Sequence, residues 1–267
     1  MTNDDTLLIE RDDRGVATIT MNKPEKHNAF DDVLIGRIKA AFEEVGADPS
    51  VRVVVLAGSG PSFSAGADLN WMKRMAGYSR DENVEDAMGL GAMCQAIDKC
   101  PKPVIALVQG ATFGGGVGLV AACDIAVGTT HAKFMLSEVK LGLIPAVISP
   151  YVVRAMGARA ARRYFLTAER IEAQEAYRLG LLHEVVEDET DLHNACDRLV
   201  TVLLANGPRA MAESKALVDA VADRTIDDTV IRDTAERIAD TRASDEGREG
   251  VTAFLEKRKP TWTDGQA

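Results

Sequence analysis

Two strand-like runs, each followed at once by a glycine-bearing loop, constrain the fold of this chain more than any other feature. Residues 51–57 (VRVVVLA) and 103–110 (PVIALVQG) are rich in β-branched and aliphatic side chains, as in strands that are buried on both faces. The first run continues into GSGPSFSAGAD, and the second continues into TFGGG and an apolar stretch at 117–123. Because each run leads into a turn and then a helical pattern, the sequence predicts layered α/β architecture.

The alternation of strands and helices continues to about residue 187. Periodicity predicts strands at 7–11, 16–21 and 124–127, and helices at 31–46 and 81–99. From about residue 190 onward only helical patterns remain. We therefore expect a core at residues 1–195, followed by a helical region, residues 196–267, that docks on its own core or on a neighbouring subunit.

Composition limits the partners of this chain. Its 267 residues suffice for a sizeable core, but its net charge of −10 is a poor electrostatic footprint for binding nucleic acids or anionic membranes. The acidic N-terminal segment lacks the basic-then-apolar pattern of a secretory signal, and no apolar run approaches the roughly 20 residues of a membrane helix. The four cysteines show no disulfide framework. We expect a soluble cytoplasmic protein with neither a nucleic acid nor a membrane as partner.

Several familiar site motifs fit this sequence incompletely. The glycine run at 114–116 lacks the GK[ST] ending of a P-loop, and Leu119 stands where a dinucleotide-binding motif needs its third glycine. There is no GxSxG, and the four histidines are scattered without metal-ligand spacing. The sequence therefore predicts no metal, and it indicates neither nucleotide-phosphate nor serine-hydrolase chemistry.

The two glycine-bearing turns, at 64–69 (SAGADL) and 114–116 (GGG), remain as the candidate site. Amide groups at the start of a helix lack internal acceptors, and the helix dipole favours negative charge there. Two such turns facing one point would form an oxyanion hole for a thioester enolate. Taken alone, each is more simply a tight turn that glycine permits.

Taken together, several blocks resemble the signature of the crotonase, or enoyl-CoA hydratase/isomerase, family in order and spacing. They are KPEKHNAF at 23–30, SFSAGADL at 62–69, QGATFGGGVGL at 109–119, CDIAV at 123–127, SEVKLGLIP at 137–145 and FLEKRKP at 254–260. The resemblance implies a crotonase (ClpP-like) spiral of ββα units with a C-terminal all-helical trimerisation region. It also implies a homotrimer or a homohexamer, a dimer of trimers. The substrate would be an acyl-CoA thioester, with no separate cofactor because CoA is part of the substrate.

The resemblance also assigns roles to individual residues. The backbone N–H groups of Ala67 and Gly115 would hold the thioester oxygen, and Glu138 would be the acid–base residue. The apolar neighbours of Glu138 would raise its pKa and suit it to proton transfer. The residues expected to contact CoA or the acyl group are Lys26, His27, Asn28, Ala65, Ala67, Asp68, Leu69, Gly115, Gly118, Phe254 and Lys257. Lys257 would reach the CoA phosphates, often across a subunit interface. A net-acidic protein needs local cations of this kind to bind an anionic ligand.

Gly118 is a departure from the family pattern. Family hydratases usually carry a first glutamate at this position, and members with only the second glutamate include Δ3-Δ2 enoyl-CoA isomerases. The segment at 146–164 (AVISPYVVRAMGARAARRY) instead resembles bacterial methylglutaconyl-CoA hydratases of leucine and branched-acid breakdown. We expect Gly118 to leave volume for a branched acyl group. Candidates for binding a terminal carboxylate are Lys73, Arg74, Lys140 and Arg154.

The prediction from these residues is an enoyl-CoA hydratase that acts on a 2-enoyl-CoA, branched or carboxylated like 3-methylglutaconyl-CoA. A Δ3-Δ2 enoyl-CoA isomerase that uses the same single glutamate is the alternative. A catalytically silent family member that binds CoA or RNA is a third hypothesis. The intact oxyanion turns and Glu138 argue against silence, and the acidic charge argues against RNA.

Overall fold

A six-stranded sheet forms the centre of the molecule in the computed structural model, which describes residues 6–263. The first five residues of the predicted acidic N-terminal segment, and residues 264–267 of the predicted helical region, lie outside the described range. The strands are β1 (Leu7–Arg11), β2 (Val16–Met21), β3 (Val53–Gly58), β4 (Val104–Val108), β6 (Ile125–Thr129) and β9 (Glu184–Val186). They lie in the order β1-β2-β3-β4-β6-β9.

Strand direction in this sheet explains where the loops of the candidate site meet. β1 and β2 pair antiparallel around a short turn, and every later neighbour pairs parallel. The carboxyl ends of parallel strands meet at one edge of a sheet. The loops that follow Gly58 and Val108 therefore start side by side. The four residues from Val53 and all of β4 are buried, as predicted for strands covered on both faces.

A second, smaller sheet was not predicted from the sequence. It contains β5 (Ala111–Phe113), β7 (Lys133–Met135) and β8 (Ile171–Glu172), in the order β5-β7-β8. β5 pairs parallel with β7, and β7 pairs antiparallel with β8. Because β5 leads into the triple glycine and β7 leads into Glu138, this sheet fixes two parts of the candidate site relative to each other.

Helices cover both faces of the large sheet. They are α1 (Asp32–Ala47), α2 (Leu69–Met75), α3 (Arg80–Asp98), α4 (Gly115–Ala122), α5 (Ser149–Met156), α6 (Ala158–Thr167), α7 (Ala173–Arg178), α8 (Glu189–Leu204), α9 (Pro208–Val221), α10 (Asp228–Ala243) and α11 (Asp245–Leu255). The helices predicted at 31–46 and 81–99 are confirmed within one residue at each end, and both begin at a side-chain cap, Asp31 and Ser79. Within residues 6–263, no helix is long and apolar enough to cross a bilayer.

Helix α8 crosses the domain boundary that the sequence suggests between residues 195 and 196. Its buried residues Leu192 and Ala195 precede that point, and Val200 and Leu204 follow it. All four belong to the hydrophobic cluster on one face of the large sheet, together with residues of β3 and β4. We therefore propose that the core extends to Leu204 and that the helical region begins with α9.

Helix α9 docks on the core of its own chain through two ion pairs. Lys215 Nζ lies 2.7 Å from Asp124 Oδ2, just before β6. Asp219 Oδ2 lies 2.5 Å from Lys99 Nζ, just after α3. Of the two docking modes considered from the sequence, contact with its own core is thus present for α9.

Candidate active site

Glu138 begins a short 3-10 turn, Glu138–Leu141, which follows β7 after Leu136 and Ser137. The turn is closed by Leu143 N–H, which donates to Glu138 O at 3.0 Å. Phe134 and Leu136 are buried in the core, so the strand places the carboxyl at the edge of an apolar region. The Glu138 carboxyl is partly buried as a consequence.

The first glycine-bearing turn is held by the loop that precedes α1. Ala65 N–H donates to His27 O at 2.8 Å, Phe30 N–H donates to Gly66 O at 2.8 Å, and Asp68 N–H donates to Phe30 O at 2.9 Å. Gly66 has φ +88°, a conformation that glycine adopts without strain. Between these bonded amides, Ala67 N–H donates to no acceptor within residues 6–263.

The second turn presents another amide without an acceptor. Gly114 N–H donates to Met135 O at 2.9 Å, and Val117 N–H donates to Gly114 O at 3.0 Å. Gly115, the first residue of α4, has no acceptor for its N–H in the described part of the chain. An orphan amide is expected at the first position of a helix.

The two turns are neighbours in space. Phe113 N–H donates to Ser64 O at 2.9 Å and so joins the strand before the triple glycine to the first turn. A Cβ atom placed on Gly66 would lie 3.8 Å from Gly115 N. The structure therefore brings together the two turns that the sequence singled out, with the free amides of Ala67 and Gly115 on adjacent turns.

The Glu138 carboxyl lies against the start of α4. A Cβ atom placed on Gly114 would lie 3.2 Å from Glu138 Oε1, which puts the carboxyl one residue away from the Gly115 amide. Glu138 Oε2 is buried and has no hydrogen-bond partner among the described residues. Burial raises the pKa of Glu138, and a backbone hydrogen bond within the residue opposes this only in part.

The volume expected at Gly118 is not free, which corrects the prediction of an acyl pocket there. A Cβ atom on Gly118 would overlap with Cγ2 of Ile148 and would lie 2.7 Å from Cβ of Ile148. Ile148 is 2% exposed and immediately precedes α5. An isoleucine side chain therefore fills the space in front of the glycine.

Two of the predicted CoA contacts, Asn28 and Asp68, hold the loops around the first turn in place. Asn28 is fully buried, and its side-chain amide donates to Ser59 O and Ser62 O while its oxygen accepts from Lys23 N–H. Asp68 caps α2 and lies 3.2 Å from Lys26 Nζ. Both side chains hold the loops in place rather than face solvent.

The other predicted contacts of this region are accessible beside the first turn. Lys26 and His27 are exposed, and His27 Nδ1 lies 3.0 Å from Ser62 Oγ. Ala65 is half-buried, and Leu69 is 73% exposed at the start of α2. These residues form a surface with a cation and an apolar side chain next to Ala67.

Phe254 and Lys257 are not brought to this site within one chain. Both are exposed near the end of α11. The segment that follows is held at Arg52, whose Nη1 donates to Trp262 O at 3.3 Å. Because Arg52 precedes β3 and the candidate site follows β3, the two lie toward opposite ends of this strand.

Aromatic packing behind the second turn was missed by the sequence reasoning. A Cβ atom on Gly115 would overlap with Cζ of Phe30, whose ring centroid lies 6.5 Å from that of Trp71. Trp71 Nε1–H donates to Asp86 Oδ1 at 2.9 Å. The Asp86 carboxylate thus holds the Trp71 ring in position. These contacts join residues that are distant in the sequence, so only the folded structure reveals them.

The four cationic candidates for a terminal carboxylate divide into two pairs. Arg74 forms an ion pair with Asp32, and Arg154 forms one with Asp98. Lys73 and Lys140 are exposed, and Lys140 Nζ lies 3.5 Å from the sulfur of Met135. The lysines therefore remain the more available cations for an acyl carboxylate.

Comparison with known proteins identifies the family of this chain. The family model for enoyl-CoA hydratase/isomerase matches residues 11–266. The chain belongs to the enoyl-CoA hydratase/isomerase family. Crotonyl-CoA hydratase of Syntrophomonas wolfei is 33% identical over 96% of this crotonase-family chain and 96% of the relative. 1,2-Epoxyphenylacetyl-CoA isomerase of Escherichia coli is 30% identical over 96% of the chain and 98% of the relative.

Solved structures confirm the predicted crotonase fold. An enoyl-CoA hydratase from Shewanella pealeana is 47% identical, with a TM-score of 0.93 over 96% of each chain. A chain from Pseudomonas aeruginosa described as AtuE is 36% identical, with a TM-score of 0.92 over 97% of this chain and 100% of that one. The relatives of this crotonase-family chain include hydratases and isomerases, so membership gives the family without choosing between the two reactions.

Proposed function

We propose that this chain is an enoyl-CoA hydratase that uses Glu138 as its single acid–base group. The observation that supports the proposal is a buried carboxyl oxygen that has no partner among the described residues, near two backbone amides that have no acceptor there. Unpaired buried polar groups are costly in a folded protein. The buried carboxyl oxygen and the two amides that lie near it together indicate a site that is completed by a ligand.

In the proposed reaction, the N–H groups of Ala67 and Gly115 donate to the thioester oxygen of a 2-enoyl-CoA. Their contribution grows as the oxygen gains charge, because fixed donors need no reorganisation during the reaction. Ionised Glu138 takes a proton from water while the water oxygen forms a bond to the β-carbon. The electrons of the double bond move onto the thioester as an enolate. Glu138 then returns the proton to the α-carbon and is ionised again.

The acyl-CoA substrate is supported by the family and by the surface beside Ala67. The names of two relatives, crotonyl-CoA hydratase of S. wolfei and short-chain-enoyl-CoA hydratase of Clostridium acetobutylicum, state this class of reaction. We extend the proposal to a branched or carboxylated acyl chain, with Lys73 or Lys140 as the cation for a terminal carboxylate. We also propose a homotrimer or homohexamer in which Lys257 reaches CoA from a neighbouring copy.

A Δ3-Δ2 enoyl-CoA isomerase is the second candidate. The observation that favours it is Ile148, which fills the space in front of Gly118 and leaves no room there for a second carboxylate that would orient a water molecule. One base that takes a proton from one carbon and returns it to another needs no such water. The apolar surroundings of Glu138 suit this reaction equally well.

Product mass separates the two reactions. The purified protein is incubated with crotonyl-CoA, 3-methylglutaconyl-CoA and a 3-enoyl-CoA, and each product is measured by mass spectrometry. Hydration adds the mass of water, whereas isomerisation leaves the mass unchanged in H₂O. If 3-enoyl-CoA alone is consumed without a change in mass, the hydratase proposal is wrong and the isomerase stands. Consumption of none of the thioesters would contradict both.

A further inference from the structure

Two glycines one helical turn apart form a flat face at the start of α4. Gly114 and Gly118 are four residues apart, a spacing that places residues on the same side of a helix. Glu138 Oε1 lies against the first glycine, and Ile148 lies against the second. The carboxyl and the isoleucine side chain are therefore neighbours along one face of α4.

Contact between Ile148 and Gly118 is close enough to exclude any side chain at residue 118. A Cβ atom there would overlap with Cγ2 of Ile148, and Cβ of Ile148 would be 2.7 Å away. Cα of Ile148 would be 3.8 Å away, an ordinary contact distance. Both residues are buried, so neither can turn out into solvent. The glycine and the isoleucine fit as a matched pair.

No charged group within residues 6–263 offsets the apolar surroundings of Glu138. Titratable groups on the elements around it are Lys133 on β7, Lys140 on its own turn, Tyr151 and Arg154 on α5, and Arg159, Arg162, Arg163 and Tyr164 on α6. None of these described groups contributes to the pKa of Glu138, which is raised by burial. On the α4 face, the side chain of Ile148 covers Gly118, four residues after the glycine against which the Glu138 carboxyl lies.

We propose that Ile148 is the residue that restricts this site to one carboxylate, by filling the space in front of Gly118 and shielding the α4 side of Glu138 from bulk solvent. This rests on the proposed function insofar as Glu138 is the acid–base group. In this role Ile148 is a positioning residue, since it acts through Glu138 and through the shape of the α4 face. Because this space is filled, the acyl group must extend in a direction that does not cross Gly118.

The steric part is tested by stability, independently of any reaction. Gly118→Glu alone should lower Tm by roughly 5–10 °C, as overpacking does in a chain of this size. In Gly118→Glu/Ile148→Ala, the Cβ atoms of residues 118 and 148 would still approach to 2.7 Å. Only a small part of the lost Tm should therefore be recovered. Adding Ile148→Gly removes that atom, and Tm should rise relative to Gly118→Glu/Ile148→Ala. A Gly118→Glu protein as stable as wild type would overturn the proposal.

The electrostatic part is tested by the pH dependence of kcat/KM. Ile148→Ala admits water beside Glu138, so the acid limb of the profile should move to lower pH by about half a unit or more. Val152→Ala is the matched control, because Val152 is a fully buried residue of α5 that is not among the nearest neighbours of a Cβ on Gly118. The control should lose stability without moving the acid limb. If the acid limb lies at the same pH in wild type and in Ile148→Ala, Ile148 does not act through Glu138.

Restored two-carboxylate chemistry provides the third measurement. Gly118→Glu/Ile148→Gly should hydrate crotonyl-CoA at least about tenfold faster than Ile148→Gly alone, because a second acid–base group is worth that much or more. A folded double variant without this gain overturns the claim that Ile148 is what restricts the site. If wild type turns over no enoyl thioester, the proposed function fails, whereas the Tm series still decides the steric claim.

Discussion

Individual atoms without partners mark the candidate site. Glu138 Oε2, Ala67 N–H and Gly115 N–H lack partners within residues 6–263, and Glu138 Oε2 does so although most buried polar groups in proteins are bonded. The sequence predicted these three residues from the resemblance of short blocks. It did not predict Ile148, because the contact between residues 118 and 148 arises only when α4 and the start of α5 pack together.

Replacing Glu138 by glutamine should separate catalysis from stability. For Glu138→Gln we expect kcat to fall by about 10²–10⁴-fold with little change in the Kd for CoA esters. Because folding disfavours the ionised carboxylate, wild type loses stability as pH rises from the ordinary glutamate pKa of about 4.3 through the raised folded-state pKa. Glutamine has no such loss. In thermal melts, the Tm of Glu138→Gln relative to that of wild type should therefore be higher at pH 7 than at pH 4. Normal kcat in the folded variant would exclude Glu138 from the mechanism.

Removing one amide donor should be nearly as harmful as removing the carboxylate. Ala67→Pro deletes an N–H group that has no acceptor within residues 6–263, so no hydrogen bond in that range is lost. We expect kcat to fall by about 10²–10³-fold, the usual effect of one oxyanion donor. Circular dichroism and Tm serve as the control for the turn itself. An active and fully folded Ala67→Pro protein would show that this amide does not bind the thioester oxygen.

At the scale of elements, sequence reasoning succeeds where a strand or helix is long and covered. β3 and β4 are apolar runs buried by helices, and α1 and α3 carry side-chain caps at their starts. The second sheet was missed because its strands have two or three residues, too few for periodicity to register. Helix α8 was divided at residue 195 because its helical pattern gives no information about which surface it covers.

The docking of α9 provides a prediction at this scale. Asp124 Oδ2 accepts from Val104 N–H at 2.8 Å and pairs with Lys215, while burial raises the pKa of Asp124 overall. Lys215→Ala leaves a largely covered carboxyl without its cation, so we expect a loss of about 1–3 kcal/mol in the free energy of unfolding. Lys39→Ala breaks an exposed pair with Glu43 and should cost less than about 0.5 kcal/mol. Urea titrations measure both, and equal losses would contradict an anchoring role for Lys215.

At the scale of the whole molecule, several large apolar side chains are exposed on the surface of the single chain. Phe254 is 81% exposed and Leu255 is 72% exposed at the end of α11, and Leu141, Leu143 and Ile144 are at least half exposed after Glu138. Contiguous apolar patches of this kind mark interaction surfaces in proteins. They are consistent with the proposed trimer, in which one copy would supply Lys257 to the site of another.

Subunit mixing tests whether Lys257 acts between copies. Lys257→Glu alone should raise KM for CoA esters but not for the corresponding pantetheine thioesters, because only CoA carries the 3′-phosphate and diphosphate charges. We then co-express Lys257→Glu with Glu138→Gln and purify the mixed oligomer. If Lys257 acts between copies, a subunit with intact Glu138 receives an intact Lys257 from its Glu138→Gln neighbour, and low-KM activity on CoA esters returns. If each chain uses its own Lys257, every site lacks one group and mixing restores nothing. Because the segment after Lys257 is held at Arg52, toward the opposite end of β3 from the site, we expect activity to return.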